Sequence, residues 1–147
     1  MAKADKINEL VQTVRKLNWE VRPKLTNTPG GNSPDDPLHR ALTDLRNNEI
    51  QMSQQIRAMS LAESDVTVDE ANIIEHAEAA KVSSRQLLSE FGTAREAILS
   101  LLRNFSDEDW TREHSTSTGS VSIDKIVDDL IASDKQYMER IFSAAAS

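Results

Sequence analysis

Apolar residues recur at helical spacing in four segments of the chain, and this pattern constrains the fold more than any other feature. In each segment they repeat every three or four residues, which places them on one face of an α-helix. The four apolar faces are Ile7, Leu10, Val14, Leu17 and Val21; Leu38, Leu42, Leu45, Met52, Ile56 and Met59; Leu88, Phe91, Ile98, Leu102 and Phe105; and Ile123, Val127, Leu130, Tyr137 and Ile141. Four such helices, each about 30 Å long, predict an all-α four-helix bundle.

The first and second predicted helices are separated by a strong helix-breaking segment. The first helix should end near Leu25, with Pro23 fraying or kinking its last turn. The sequence NTPGGNSPDDP, residues 27–37, holds two glycines and three prolines in eleven positions. We expect this long link to form a crossover rather than a tight hairpin.

Capping signals indicate where later helices begin. Thr67 is followed three residues later by Glu70, a capping-box spacing that predicts a short helix over 69–80. The sequence SDEDW, residues 106–110, is typical of a capped turn, and Ser122 is placed to cap the last helix. The pattern leaves open whether residues 69–105 form one bent helix or two. Only TSTGSVSI, which is short, approaches the alternation of a strand.

Composition and charge narrow the classes of protein that fit. The 147 residues carry 17 basic and 24 acidic side chains, a net charge of -7, so a nucleic-acid partner is not expected. No apolar run is long enough to cross a membrane, and the N-terminal segment lacks the apolar block of a signal peptide. With no cysteine in the chain, a cytoplasmic location is expected. The length predicts a single domain over 1–147.

Polar residues interrupt the predicted buried faces, and these are the candidate site residues because bundles build sites from inward-facing side chains. One lies beside the second apolar face, one on that face, one on the third face, and three on the face of the last helix. They are, in that order, Asp44; Glu49; Arg95; and Ser133, Asp134 and Tyr137. A buried Arg95 against Glu49 or Asp134 would neutralise both charges. The alternative is that these side chains lie at the edge of the bundle in contact with water.

Recognised catalytic and metal-binding motifs are not found in the sequence. The three histidines, His39, His76 and His114, lie in different segments with no spacing that would place two on one helix face. No pair of Glu-x-x-His motifs of the di-iron type occurs. From the residues alone, neither a metal nor a cofactor is predicted.

Three stretches resemble the DinB-like family of helical bundles, which includes the DinB and YfiT proteins. They are RALTDLRNNEI at residues 40–50, FGTAREAILSLLRNFSDEDWTRE at 91–113, and GSVSIDKIVDDLIASDKQYMERI at 119–141. The last stretch follows the family's final helix, from the glycine-serine lead to the terminal Arg-Ile pair. The similarity extends over nearly the whole chain, and much of it is helical periodicity.

The resemblance implies where a metal would lie in related proteins. Many family members bind a divalent metal through one histidine of the second helix and a His-x-x-x-His pair of the last. The matching positions in this chain are Asp44, Ser133 and Tyr137, and none of them is histidine. The resemblance therefore implies a DinB-like member with a degenerate metal site. The break at Ser133 and Asp134 would mark the remains of that site.

Three functions follow as alternatives, and whether the chain is an enzyme stays open. The first is a bundle that binds a small molecule or a protein partner in the family's cleft without a metal. The second is a metal-dependent hydrolase or thiol-dependent transferase that uses Asp44 together with Asp129 or Asp134 as carboxylate ligands. The third is a structural homo-oligomer whose polar break is filled by water.

The resemblance also implies a homodimer, because members of the family often form one. The apolar faces do not by themselves predict a dimer interface. Trp19 lies off the centre of the first apolar face. An aromatic residue in such a position marks an interface or, the alternative we favour, covers the edge of the core.

Overall fold

Four long helices carry the predicted apolar faces in the computed structural model, which describes residues 1–31, 35–61, 73–116 and 119–146. They are α1, Lys3–Lys16; α2, Pro37–Ser60; α4, Ser84–Asn104; and α6, Ile123–Ala145. Two short helices, α3 at His76–Ala79 and α5 at Asp107–Thr111, lie between them. The chain is thus mostly helical, and the all-α class is confirmed.

The first helix changes its winding before it ends. After Lys16 the chain forms a wide π-helical turn, Leu17–Val21, and then a tight 3-10 turn, Arg22–Lys24. Pro23 has no amide hydrogen to donate to the carbonyl of Trp19, so the α-helical hydrogen-bond pattern cannot continue. The predicted end near Leu25 is confirmed.

Side-chain caps fix the start of the later helices. The Asp36 carboxylate accepts the Leu38 amide at 3.0 Å ahead of α2, with Pro37 in the first helical position. Ser83 caps α4, and Ser122 caps α6 by accepting the Lys125 amide at 3.2 Å. The predicted Ser122 cap is therefore confirmed.

The described residues 73–105 form two separate helices, α3 and α4, rather than one bent helix. The short helix α3 begins at His76, and residues 73–75 precede it as irregular chain, so the predicted helix over 69–80 is too long in the part that is described. The predicted capping pair Thr67 and Glu70 lies outside the described residues. The SDEDW turn is confirmed as a capping box, in which Ser106 and Asp109 bond reciprocally at the start of α5.

A small β-ribbon follows α5, where the sequence showed only a weak alternating pattern. Strands β1, His114–Thr116, and β2, Gly119–Val121, pair antiparallel. They are three residues each and lie at the N-terminal end of α6. The ribbon does not change the fold class.

Helices α1 and α2 follow each other in the chain, yet each packs mainly against α4 and α6. The two helices that this link joins are thus not each other's main neighbours, which is what the predicted crossover requires. Gly30 in this link has a positive φ of 76°, and its amide donates to the Val82 carbonyl at 2.9 Å. This bond ties the link to the residues that precede α4.

The buried apolar side chains form two clusters along the helices. The first lies towards the C-terminal ends of α2 and α4 and the N-terminal end of α6. It contains Leu10, Ile56, Met59, Ile98, Leu99, Leu102, Trp110, Ile123, Ile126, Val127 and Leu130. The second lies towards the opposite ends and contains Leu17, Val21, Leu25, Ala41, Leu42, Leu45, Leu87, Leu88, Phe91 and Ile141.

The exposed aromatic of the first helix does not cover the core. Trp19 is 84% exposed, so the favoured prediction that it covers the core edge is wrong. The reason is geometric, because two residues advance about half a turn in this wide π-helical segment and place Trp19 on the side opposite the buried Leu17. None of the helices in the described part of the chain is both long and apolar enough to cross a lipid bilayer.

Candidate functional site

Three charged side chains lie where the two apolar clusters meet. They are Glu49 of α2, Arg95 of α4 and Asp134 of α6. Along each helix, the charged residue lies between a member of one apolar cluster and a member of the other. Their residue exposures are 0%, 0% and 5%. We call these three residues the buried triad.

Arg95 binds both carboxylates of the buried triad at once. Its Nε and Nη2 atoms donate to the Glu49 carboxylate, and its Nη1 and Nη2 atoms donate to Asp134 at 2.9 and 2.8 Å. The Nη1 atom also donates to the Leu10 carbonyl at 3.0 Å. All four long helices therefore meet at one guanidinium. The predicted pairing of Arg95 with Glu49 or Asp134 is found with both, and the alternative of a wet bundle edge is wrong for these three residues.

The charges of the buried triad do not balance, because two carboxylates share one guanidinium. Burial raises the pKa of Glu49, and the Asp134 charge raises it further, while Arg95 opposes both. Burial alone would lower the pKa of the Arg95 guanidinium, but the two carboxylates together outweigh it and raise this pKa, so Arg95 stays charged. A surface groove of about 380 Å³ between α1 and α6 reaches Asp134, but both oxygens of this carboxylate already accept from Arg95. The triad thus holds helices together and offers little to a ligand.

A second polar group lies near the surface between α2, α3 and α6, and it contains the candidate Asp44. One Asp44 oxygen is 2.8 Å from His76 Nε2, and the other is 2.7 Å from Arg140 Nη1. Burial and the Asp44 charge raise the pKa of Tyr137, which lies close by on α6. We call Asp44, His76, Tyr137 and Arg140 the Asp44 cluster.

The Asp44 cluster is partly open to solvent. The Asp44, His76 and Arg140 side chains are 31%, 40% and 46% exposed. A carboxylate only accepts hydrogen bonds, so His76 Nε2 donates to Asp44 at 2.8 Å. Arg40 Nη1 lies 3.5 Å from the other ring nitrogen, Nδ1. Asp44 therefore orients an imidazole and a guanidinium that come from two other helices.

The positions that match the family's metal ligands are only partly brought together. Asp44 and Tyr137 lie close enough for the Asp44 charge to act on the tyrosine hydroxyl. Ser133 is half-buried one turn before Tyr137 on α6. Asp134, its neighbour, belongs instead to the buried triad.

The carboxylate set of the metal-dependent alternative is divided between different partners. Asp129 pairs with Lys125 at 2.8 Å on the surface of α6, and Asp134 pairs with Arg95 in the core. Asp44 holds His76 and Arg140. Over residues 1–31, 35–61, 73–116 and 119–146, no group of three histidine, aspartate or glutamate side chains is arranged to hold a metal ion.

Two members of the Asp44 cluster were missed by sequence reasoning. His76 and Arg140 lie 32 and 96 positions from Asp44, and no motif joins them.

His39, another lone histidine, is buried at 2% exposure and bonds to Ser84 Oγ and the Ala79 carbonyl, which is a structural role.

The fold and the polar groups together describe an all-α protein that contains the buried triad and, apart from it, the solvent-accessible Asp44 cluster. Comparisons with protein-family models, with curated proteins and with solved structures found no match to this chain. The DinB-like resemblance therefore stays a prediction from the sequence, and function has to be argued from the site itself.

Proposed function

We propose that this chain is a DinB-like four-helix bundle that acts as a binding protein, with a small-molecule site between α2 and α6. The observation that carries the proposal is the position of Arg140. This side chain is bonded to Asp44 and also lines a pocket of about 440 Å³ between the start of α2 and the end of α6. Ligand sites typically combine a pocket of a few hundred Å³ with a small number of oriented polar groups.

The polar groups beside this pocket are held in place but remain accessible. Asp44 fixes His76 and Arg140 through bonds of 2.8 and 2.7 Å. Such fixed side chains lower the entropic cost of binding, because they are ordered before the ligand arrives. The buried triad lacks this combination, since its side chains have almost no solvent access.

The proposal is tested by a fragment screen on the isotope-labelled protein, read by amide chemical shifts. Fragments that bind should shift amides in the first turn of α2 and the last turn of α6. Ala144 lines the pocket, so Ala144→Trp should fill it and abolish these shifts. Ala132→Trp makes the same change at an exposed position of the same helix and should leave binding intact.

Hits that survive Ala144→Trp, or a screen with no hit in this region, would overturn the proposed site. The metal-dependent alternative is tested on the same samples. We expect added zinc, nickel or manganese to leave the melting temperature unchanged. One bound ion per chain, lost on Asp44→Ala, would support a hydrolase or transferase instead.

We also propose that the chain forms a homodimer, as the resemblance implies. What supports this is the 84% exposure of Trp19, a large aromatic side chain that the core does not use. The proposal of a dimer is independent of the pocket, because Trp19 lies in the π-helical turn after α1 and does not line the pocket.

A further inference from the structure

The pocket between α2 and α6 is lined by two arginines that come from different helices. Its lining residues are Asp35, Pro37, Arg40, Arg140, Ser143 and Ala144. The Arg40 and Arg140 side chains are 44% and 46% exposed. Two arginines from different helices therefore border one solvent-accessible space of about 440 Å³.

Each arginine already binds a carboxylate of the chain. Arg40 Nη2 is 3.2 Å from Asp35, and Arg140 Nη1 is 2.7 Å from Asp44. A guanidinium carries several N–H donors in a fork that suits carboxylate and phosphate oxygens. Arg40 also makes a weak contact to His76. Among the described residues, these contacts occupy only some of the N–H donors of each arginine.

The two carboxylates differ in how easily an external anion could replace them. The Asp35 side chain is 87% exposed, and an exposed ion pair of this kind adds little to stability. Asp44 is only 31% exposed and is held by His76 as well. An incoming anion can thus displace Asp35 from Arg40, while Asp44 continues to orient Arg140.

The local charge around the two arginines is balanced while both carboxylates are in place, because Asp35 neutralises Arg40 and Asp44 neutralises Arg140. Displacing the exposed Asp35 frees the Arg40 guanidinium beside Arg140, and this positive charge attracts a small anion and disfavours a cation. We infer that this pocket binds a small anion, a carboxylate or a phosphate, between Arg40 and Arg140. The inference rests on the proposed small-molecule site and specifies the chemical class of its ligand.

The test uses four probes and the full chain at constant ionic strength. Benzoate, benzamide and benzylamine share one ring and differ in charge, and inorganic phosphate supplies the second anion. Benzoate and phosphate should give saturable amide shifts around Arg40 and Arg140. Arg40→Gln and Arg140→Gln should each weaken this binding about tenfold or more, because each removes charge-assisted hydrogen bonds.

Arg103→Gln serves as the matched control, since Arg103 is an exposed arginine on α4 outside the pocket lining. It should leave both affinities unchanged. Binding of benzamide or benzylamine in the pocket without benzoate or phosphate would overturn the anion inference and leave the small-molecule site standing. Failure of both anions to bind, or binding that Arg40→Gln and Arg140→Gln leave unaltered, would likewise overturn the inference.

Discussion

The buried triad and the Asp44 cluster use the same kinds of side chain but differ in their access to water. Each joins acidic and basic side chains of α2, α6 and a third helix. In the triad the third helix, α4, supplies the arginine, and in the cluster the third helix, α3, supplies the histidine. Arg95 is fully buried, whereas Arg140 is 46% exposed. The triad therefore contributes to the position of the helices, and the Asp44 cluster is free to contact a ligand.

The comparison shows that a polar residue on a buried face need not mark a binding site. Buried ion pairs often add little net stability over apolar residues of the same volume, yet breaking one leaves an unpaired charge. Arg95 bonds to three other helices between the two apolar clusters, and we expect this contact to hold the helices together. The first two predictions test this role.

The largest effect is expected for Arg95→Met. This change leaves Glu49 and Asp134 buried without their cation and should lower the free energy of unfolding by about 3–5 kcal/mol. Urea denaturation at neutral pH measures the loss. The triple variant Glu49→Leu/Arg95→Met/Asp134→Leu should fold with a stability close to that of the original chain. A single Arg95→Met variant as stable as the original would contradict the structural role.

The second prediction concerns pH and the imbalance of the triad. The native pKa of Glu49 lies above its ordinary value of 4.5, so the native protein takes up this proton more readily than the unfolded chain. This stronger proton binding stabilises the native protein, and its contribution to the free energy of unfolding is fully present below pH 4.5. The contribution is lost as the pH rises through the raised pKa of Glu49. Relative to Glu49→Gln, the original chain should lose up to about 1.4 kcal/mol per pH unit there.

The measurement for this prediction is urea denaturation of both proteins at a series of pH values from acid to neutral. Glu49→Gln serves as the reference because it cannot titrate at this position. A stability difference that stays constant, or that grows in favour of the original chain as the pH rises, would show that the Glu49 pKa is not raised.

A smaller effect is expected in the Asp44 cluster. Asp44→Asn should lower the free energy of unfolding by less than about 1 kcal/mol, because water screens a partly exposed ion pair. A double-mutant cycle with Arg140→Gln should give a coupling of about 0.2–1 kcal/mol. Coupling as large as the loss expected for Arg95→Met would make this cluster a structural element and remove the contrast between the two regions.

The smallest effect on stability is expected for Trp19→Arg. The side chain is 84% exposed, so the free energy of unfolding should change by no more than about 0.5 kcal/mol. The same change should convert the proposed homodimer into a monomer in analytical ultracentrifugation. A monomeric original chain, or a dimer that persists in the variant, would remove Trp19 from the interface.

The sequence predicted the helices well because their apolar faces are local patterns. It also pointed to Arg95, Glu49 and Asp134 as partners, since charged residues on buried faces must neutralise one another. It could not predict that His76 and Arg140 meet at Asp44. That contact joins three elements across loops, and neither residue interrupts an apolar face.

Two other expectations show the limits of local patterns. The predicted short helix is reduced to His76–Ala79 in the described residues, because helix propensity alone does not fix the ends of a short segment. The break at Ser133 and Asp134 suggested one lost site, but the two side chains belong to different surroundings. Asp134 enters the core, and Ser133 stays half-buried on the side of Tyr137.

The central claim is that one polar region builds the fold and the other binds a ligand. It is tested most directly by comparing fragment binding in Ala144→Trp and in the triple variant Glu49→Leu/Arg95→Met/Asp134→Leu, by amide chemical shifts. We expect the triple variant to bind with the affinity of the original chain and Ala144→Trp to lose binding. A folded triple variant that loses binding, with Ala144→Trp unaffected, would show that the assignment of the two regions is reversed.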